Sequence, residues 1–344
     1  MILSPRRCIA AHLLLLLATG CSTVEHSRES LATAQRPPEP YVRIYREVTN
    51  RTEFQVALRR FVPPKGIGPS IWLMGVSHLG APDYFVKLQS ELEDMTLVLF
   101  EGIRASRRNH ARPDLGSDAG SKRDPVPDNL KSVEGLQPAL ARALGLRFQL
   151  EAVDYSRPNF LNSDLSIPEL RQLLMEQAED TRDQGAAREF EDLLQAMQGR
   201  SLLNAIIRVA IPFLATSPGL QGVTKLALIE ILGQIDGNPA NIAGLPESAK
   251  QLLVVLLEHR NQRVLDDLQI VLSRVQKHDS IAILYGVAHM PDMELRLRTR
   301  FHYRPAETRW LTAFDVDSEK AGISEVQIRF LRELLRRELR ELEK

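Results

Sequence analysis

The sequence predicts an α/β fold with a mixed, largely parallel sheet flanked by helices and an additional helical segment. Three short apolar runs, at residues 71–75, 96–100 and 280–285, have the length and composition of strands that are buried on both faces. Segments with helical periodicity alternate with these runs, as expected where helices connect parallel strands. The chain has 344 residues, which is enough for one large domain.

The first 20 residues have the features of a secretory signal peptide. Two arginines precede an apolar run at residues 8–17, and small residues follow it. The segment Ala-Thr-Gly before Cys21 resembles a bacterial lipobox, which implies cleavage before Cys21 and lipidation of its sulfur. Cys8 leaves with the signal peptide, so lipidation accounts for the remaining cysteine. Ser22 follows Cys21, where an inner-membrane retention signal would have Asp. We therefore expect a lipid-anchored protein of the bacterial cell envelope, on the outer membrane facing the periplasm.

The elements follow in order along the chain. Residues 21–40 are polar and proline-rich, which is typical of a tether, and an α/β domain is expected over residues 41–317. Alternating apolar residues predict strands at 41–48 and 54–62, and the apolar runs predict buried strands at 71–75 and 96–100. A Pro-Asp start predicts the helix at 82–92 between those two runs. Residues 104–130 are polar with scattered glycine and proline, and they predict a long inserted loop.

After the loop, periodicity predicts a helix at 136–144, a strand at 147–153 and a helix at 168–178 that Ser166 caps. A helical segment is expected over residues 165–275. It includes an apolar core hairpin within 186–235, for which a lid or substrate groove is the alternative, and one long helix at 247–275. The predictions end with strands at 280–285, 301–304 and 309–314, a helix at 291–298 and a C-terminal amphipathic helix within 318–344, at 324–342.

Composition and missing motifs exclude several classes of function. The chain has 44 basic and 44 acidic side chains, without the basic excess of a nucleic-acid-binding protein, so no nucleic acid is expected as partner. No apolar run reaches the roughly 18 residues of a membrane-spanning helix. The motifs of serine hydrolases, HExxH zinc enzymes, CxxC redox proteins and phosphate-binding loops are all missing. The sequence leaves the oligomeric state open.

Two Gly-x-x-His segments are the features that point to chemistry. Gly75–His78 and Gly286–His289 each follow an apolar run and precede a Pro-Asp helix start. Ligands in open α/β sheets bind beyond the carboxyl ends of the strands, so both histidines are expected in one crevice. Glu101 ends a third buried run and adds a carboxylate at the same edge.

Two imidazoles and a carboxylate can bind a divalent metal ion while leaving positions open for water and substrate. We therefore predict His78, Glu101 and His289 as metal ligands, with manganese, cobalt or zinc as the candidate ions. Such an ion would lower the pKa of a bound water and support hydrolysis without a serine or cysteine nucleophile. The alternative is that both histidines are buried side chains that hydrogen-bond to loop backbone.

These residues resemble the TraB/GumN/TIKI family, which has a Gly-x-x-His after the first core strand, a glutamate about 23 residues later and a second Gly-x-x-His near the C-terminus. The segment 258–261 is similar to the family's Glu-Arg-Asn/Asp segment, and residues 146–155 are similar to its mid-chain segment. The resemblance implies an erythromycin-esterase/ChaN-like fold and, by analogy with the animal TIKI members, metal-dependent peptide hydrolysis.

On this resemblance His78, Glu101 and His289 are catalytic or metal-binding residues, and Arg260 supports them. The motif also includes Gly75, Gly286 and Asn261. Asp154 and Tyr155 either orient a ligand or fix the end of a strand.

The predicted function is hydrolysis of a peptide or protein substrate by a metal-activated water. Two alternatives stay open: an envelope protein that binds haem or a metal without turnover, and a signalling or scaffold protein that has kept the fold without the chemistry.

Overall fold

A computed structural model describes residues 37–47, 50–103, 136–181, 185, 188, 190–191, 214–233, 247–274 and 278–342. The predicted signal peptide, Cys21, most of the tether and the insert at 104–130 lie outside the described residues, as does much of the apolar segment 186–235. The strands are β1 (Val42–Arg46), β2 (Arg51–Val62), β3 (Ser70–Val76), β4 (Leu79–Gly80), β5 (Leu97–Phe100), β6 (Arg147–Phe148), β7 (Phe160–Asn162), β8 (Ser280–Gly286) and β9 (Arg304–Asp317). The helices are α1 (Pro82–Glu93), α2 (Leu136–Ala143), α3 (Gln149–Ala152), α4 (Ile167–Thr181), α5 (Pro218–Leu232), α6 (Glu247–Val254), α7 (Arg260–Ser273), α8 (Met290–Arg300) and α9 (Glu325–Leu342).

The structure confirms the predicted α/β class, with a mostly parallel mixed sheet flanked by helices. Strands β3, β8, β5 and β7 lie side by side in that order and are all parallel. Parallel neighbours need long crossover connections, and the helices between the strands in sequence supply them. The carboxyl ends of four strands therefore meet at one edge of the sheet.

The other part of the sheet is antiparallel and is built on β2. Strand β9 pairs along the whole of β2, while β1 and β3 share its opposite side. Leu58 of β2 pairs with Met74 of β3, and Val56 pairs with Val42 of β1. Strand β1 therefore continues the line of β3 beyond its carboxyl end.

Both faces of the sheet are buried, which explains the unbroken apolar runs. Alternate residues of the central strands contribute to two separate cores, with Met74 and Leu284 in one and Leu73 and Ile283 in the other. Helices α1 and α5 cover the first face, and α7 and α8 cover the second. A smaller cluster packs α4 against α6.

The predicted strand at 147–153 is wrong after its first two residues. Only Arg147–Phe148 pair, with the two-residue strand β4, and the chain then turns into helix α3. Apolar and polar residues alternate over 147–153 as in a strand, but in the described part of the chain only the first two of them have a neighbouring strand to pair with. A strand without a partner leaves its backbone groups unpaired, whereas one helical turn pairs them locally.

Two further predictions are corrected. The long helix at 247–275 is interrupted by a π-helical turn at Val255–His259. The predicted strand at 301–304 is wrong except at its last residue, because Phe301 ends α8 and His302 has a positive φ of 58°. Arg304 already belongs to β9, which includes the predicted strand at 309–314. The pairing register of β9 shifts beside Pro305, and this irregularity accommodates a residue that has no N–H to donate.

The amphipathic C-terminal helix is confirmed as α9, which packs on α5. Among the described residues, no helix combines the length and the apolar character that crossing a membrane requires.

Candidate active site at the carboxyl edge of the sheet

Each of the four parallel strands places one ionisable side chain at its carboxyl end. His78 comes two residues after β3, Glu101 directly follows β5, and Asp164 comes two residues after β7. His289 closes a 3₁₀ turn, Val287–His289, that directly follows β8. The structure thus brings the predicted residues His78, Glu101 and His289 to one edge, as the sequence indicated.

Glu101 is at the centre of the site. Its Oε1 accepts a hydrogen bond from Arg260 Nη2 at 2.6 Å, and its Oε2 accepts one from the Gly286 N–H at 2.5 Å. His289 Nε2 lies 3.8 Å from Oε1. A Cβ on Gly286 would lie 3.2 Å from Glu101 Oε2 and 3.3 Å from His78 Nε2, so the glycine of the second motif leaves room for both groups.

Neighbouring amides fix the tautomers of both histidines. His78 Nδ1 lies 2.7 Å from Gln149 Oε1, because the amide nitrogen of Gln149 donates to the hydroxyl of Tyr155. His289 Nδ1 lies 2.7 Å from Asn261 Oδ1, and the amide nitrogen of Asn261 donates to Asp292. Each amide thus presents its oxygen, so each Nδ1 carries a proton. Nε2 of His289 lies 3.5 Å from Nη1 of Arg260, which can only donate.

Arg260 connects Glu101 to a second carboxylate that is fully buried. Its Nε and Nη2 donate to the two oxygens of Asp164 at 2.9 and 2.7 Å, and the same Nη2 reaches Glu101. Arg260 begins α7 directly after the π-helical turn, a distortion that is frequent at functional sites. Because Arg260 is only 5% exposed, these two carboxylates balance the charge of its guanidinium.

Burial and charge set the protonation states. Burial alone would raise the pKa of Glu101, but the charge of Arg260, the two histidines and the Gly286 N–H more than offset this and hold that pKa well below its usual range. Burial lowers the pKa of His289 to about 4, assisted by Arg260 and opposed by Glu101. At neutral pH Glu101 is therefore an anion and His289 is a neutral imidazole.

The remaining predicted residues have different roles. Gly75 lets the 3₁₀ turn pack on β3, since a Cβ there would lie 3.1 Å from Val287 and 3.3 Å from the carbonyl of Ala57. Tyr155 is half-buried and its hydroxyl accepts from the amide of Gln149; desolvation raises the pKa of Tyr155 well above the usual range. Asp154 is not part of the site: its side chain is 46% exposed and bonds to Ser156 and Arg157.

Sequence reasoning missed Asp164 and Gln149. Strand β7 has only three residues, too few for a periodic pattern, so the carboxylate that follows it went unrecognised. A signal was present, since Ser166 and Glu169 form a capping box at the start of α4 and mark a turn after an apolar pair. Gln149 lay inside the wrongly predicted strand.

The side chains have the chemistry of a metal site. Two imidazole nitrogens and a carboxylate are donors that suit zinc, manganese or cobalt. Donors on one tetrahedral ion with bonds of about 2.1 Å are about 3.4 Å apart, close to the 3.8 Å between His289 Nε2 and Glu101 Oε1. A carboxylate has about four acceptor positions, so the bonds from Arg260 and Gly286 leave capacity on Glu101.

Among the residues that the structure describes, no three or more His, Cys, Asp or Glu side chains are already arranged to hold a metal ion. The ligand set of His78, Glu101 and His289 therefore stays a prediction. Comparisons of the chain with models of protein families, with curated proteins and with solved structures found no match.

Proposed function

We propose that this chain is a metal-dependent hydrolase of the cell envelope that cleaves peptide bonds at the edge formed by His78, Glu101 and His289. The observation that carries the proposal is the fixed tautomer of the two histidines. An imidazole that donates Nδ1–H to a protein oxygen and keeps Nε2 free is the usual form of a metal-binding histidine. Here two rings with this Nδ1 contact lie beside the largely buried carboxylate of Glu101, and Nε2 of His289 also lies 3.5 Å from Nη1 of Arg260.

The pKa values of Glu101 and His289 disfavour either side chain as the general base. A general base works best when its pKa is near the working pH. The pKa of Glu101 is held well below its usual range and that of His289 is about 4, so both are weak bases at neutral pH. A bound divalent ion would supply the missing activation by lowering the pKa of water and polarising the substrate carbonyl.

The chain's own residues have distinct tasks in this proposal. His78, His289 and Glu101 hold the ion. Arg260 and the Gly286 N–H keep the Glu101 carboxylate ionised and fix its orientation. Asp164 is the second carboxylate that pairs with Arg260, and it keeps the buried guanidinium in place beside Glu101.

The resemblance to the TraB/GumN/TIKI family supports the peptide substrate and the erythromycin-esterase/ChaN-like version of the fold, both of which are part of the proposal. Lipidation at Cys21 and a position on the outer membrane facing the periplasm complete it. The N-terminal sequence supports these last two points.

The first test is the metal stoichiometry of the purified protein, measured by calorimetric titration with manganese, cobalt and zinc. We expect about one ion per chain in the wild type and loss of binding in folded His78→Ala and His289→Ala variants. His302→Asn is the control, since His302 is a histidine of the chain outside the proposed site and has a positive φ of 58° that asparagine tolerates.

A peptide-library digest then tests turnover, with Glu101→Gln as the inactive variant. A folded wild type that binds none of the three ions would reject the metallohydrolase. An absorbance band of haem in the purified protein would favour the haem-binding alternative. Metal binding without cleavage of any peptide would favour a binding protein.

A further inference from the structure

An apolar cavity lies beside the second Gly-x-x-His motif and has no role in the site described so far. Its volume is about 330 Å³, at the low end of the roughly 300–1,000 Å³ that small-molecule sites occupy. Val287 and Ala288, the two middle residues of the motif, form part of its wall. Phe54, Leu232 and the proline-rich segment 37–40 form most of the rest.

The cavity lies at the same edge of the sheet as Glu101. Phe54 precedes the stretch of β2 that pairs with β3, so it is placed beyond the carboxyl end of β3. Val287 and Ala288 separate Gly286, which bonds to Glu101, from His289. The cavity wall therefore includes the residues that directly follow Gly286 and directly precede His289 in the chain.

The lining selects for apolar groups. Of the described residues that line the cavity, only Glu39 carries a charge, and its side chain is 83% exposed at the rim, 3.8 Å from Arg59. A charged or strongly polar group placed inside would lose its hydration without gaining a partner, whereas an apolar group would gain free energy from leaving water.

The wall contributed by segment 37–40 is held in place by a buried arginine. Arg59 donates to the backbone carbonyls of Glu39 and Pro40, each at 3.1 Å, and to Glu294 at 2.7 Å. The hydroxyl of Tyr41 donates to the same carboxylate. The segment that leads from the tether is thus fixed as a structural part of the cavity.

We infer that this cavity is a specificity subsite that binds a large aliphatic side chain of the substrate next to the bond that is cleaved. The inference rests on the proposed function for the identity of the ligand. It goes beyond that function because it names the substrate class: peptides with leucine-like residues at one position beside the scissile bond.

Binding of two small probes tests the subsite without requiring turnover. The probes are N-acetyl-leucine amide and N-acetyl-glycine amide, and saturation-transfer NMR measures their dissociation constants on the full chain. We expect the leucine probe to bind about tenfold more tightly, because its side chain leaves water. Leu232→Trp fills the cavity from α5, and Ala288→Leu fills it from the motif.

Both filled variants should bind the two probes equally. The matched control is Leu220→Trp, which adds the same bulk to the same helix at a position that is 51% exposed and outside the cavity, and it should keep the preference. Circular dichroism establishes which variants fold, and either filled variant suffices for the test.

Equal binding of both probes by the wild type would overturn the subsite, as would a leucine preference that persists in a folded filled variant. A leucine preference that the filled variants lose would support the subsite even if no peptide is cleaved. If no metal is bound and no peptide is cleaved, the hydrolase proposal and the place beside a scissile bond fail, while the binding of a leucine-like side chain in the cavity stands.

Discussion

Replacing Asp164 by asparagine is the sharpest test of how the site is held together. Asp164 is fully buried and accepts four hydrogen bonds. Oδ1 accepts from Arg260 Nε and the Leu165 N–H, and Oδ2 accepts from Arg260 Nη2 and the Gly102 N–H. In asparagine one of these oxygens becomes an NH₂ group, which cannot accept a hydrogen bond. Whichever way the amide is turned, one N–H of Arg260 and one backbone N–H then point at that NH₂ group.

The expected cost follows from the burial of Arg260, which is 5% exposed. With Asp164 neutralised, Glu101 is left as the one carboxylate bonded to the guanidinium. Breaking a buried pair in this way typically costs about 3–5 kcal/mol. We therefore expect the free energy of unfolding of Asp164→Asn, measured by urea denaturation with circular dichroism, to fall by about that amount.

Glu191→Gln is the matched control. Glu191 also pairs with an arginine through two bonds, at 2.6 and 2.9 Å from Arg171, but both side chains are nearly half exposed. Solvent screens such a pair, and its loss should cost about 1 kcal/mol or less. A loss of about 1 kcal/mol or less for Asp164→Asn as well would refute the argument that burial of the ion pair stabilises the site.

Three further predictions concern the parts around this pair. In metal-free protein, the pKa of His289 lies at about 4, below the value of about 6.5 expected in the unfolded chain, so the unfolded state binds more protons between these two pH values. His289 should thus contribute about 3 kcal/mol of stability above pH 6.5 that is lost as the pH falls towards 4, as measured by urea unfolding across this range. Gln149→Met removes the acceptor that orients His78 and should weaken metal binding about 10- to 100-fold in calorimetry. Arg59→Met frees the carbonyls of segment 37–40 and should speed its cleavage about tenfold in limited proteolysis, because local opening becomes easier.

Each of these predictions has a control. His289→Gln should flatten the pH dependence of the free energy of unfolding between pH 4 and 6.5. An unchanged dependence would contradict its assignment to His289. Gln172→Met changes the same chemical group at an exposed position and should leave metal affinity unaltered. Arg60→Met removes a half-exposed pair with Glu307, and cleavage as fast as in Arg59→Met would argue against the anchoring of the segment.

Much of the site could be predicted because its residues follow strands that have a strong signal. The apolar runs before His78, Glu101 and His289 are buried on both faces of the sheet, and such strands are recognisable from composition alone. Parallel strands bring their carboxyl ends to one edge, so the meeting of these three residues follows from the fold class.

The missed parts depend on tertiary contacts that leave little local pattern. Strand β7 exists because β5 offers it a partner, and its three residues alone would not favour a strand. The π-helical turn before Arg260 is equally invisible, since apolar periodicity does not reveal one extra residue in a turn. Gln149 orients His78 from 71 residues away in the sequence, because β4 and β6 pair and bring the two residues together.

The balance of charge explains why the missed residue Asp164 belongs to the same site as the predicted residues Glu101 and His289. Among the described residues at the edge of the sheet, Glu101 and Asp164 carry negative charges, Arg260 carries a positive one, and His289 is neutral at pH 7. The net charge of these four side chains, −1, would oppose the negative charge that develops on a carbonyl oxygen during hydrolysis. A divalent cation reverses the sign and makes the site complementary to that charge. Because Asp164 supplies half of the anionic charge, folded Asp164→Asn should also bind divalent ions more weakly, whereas Glu191→Gln should bind them as the wild type does.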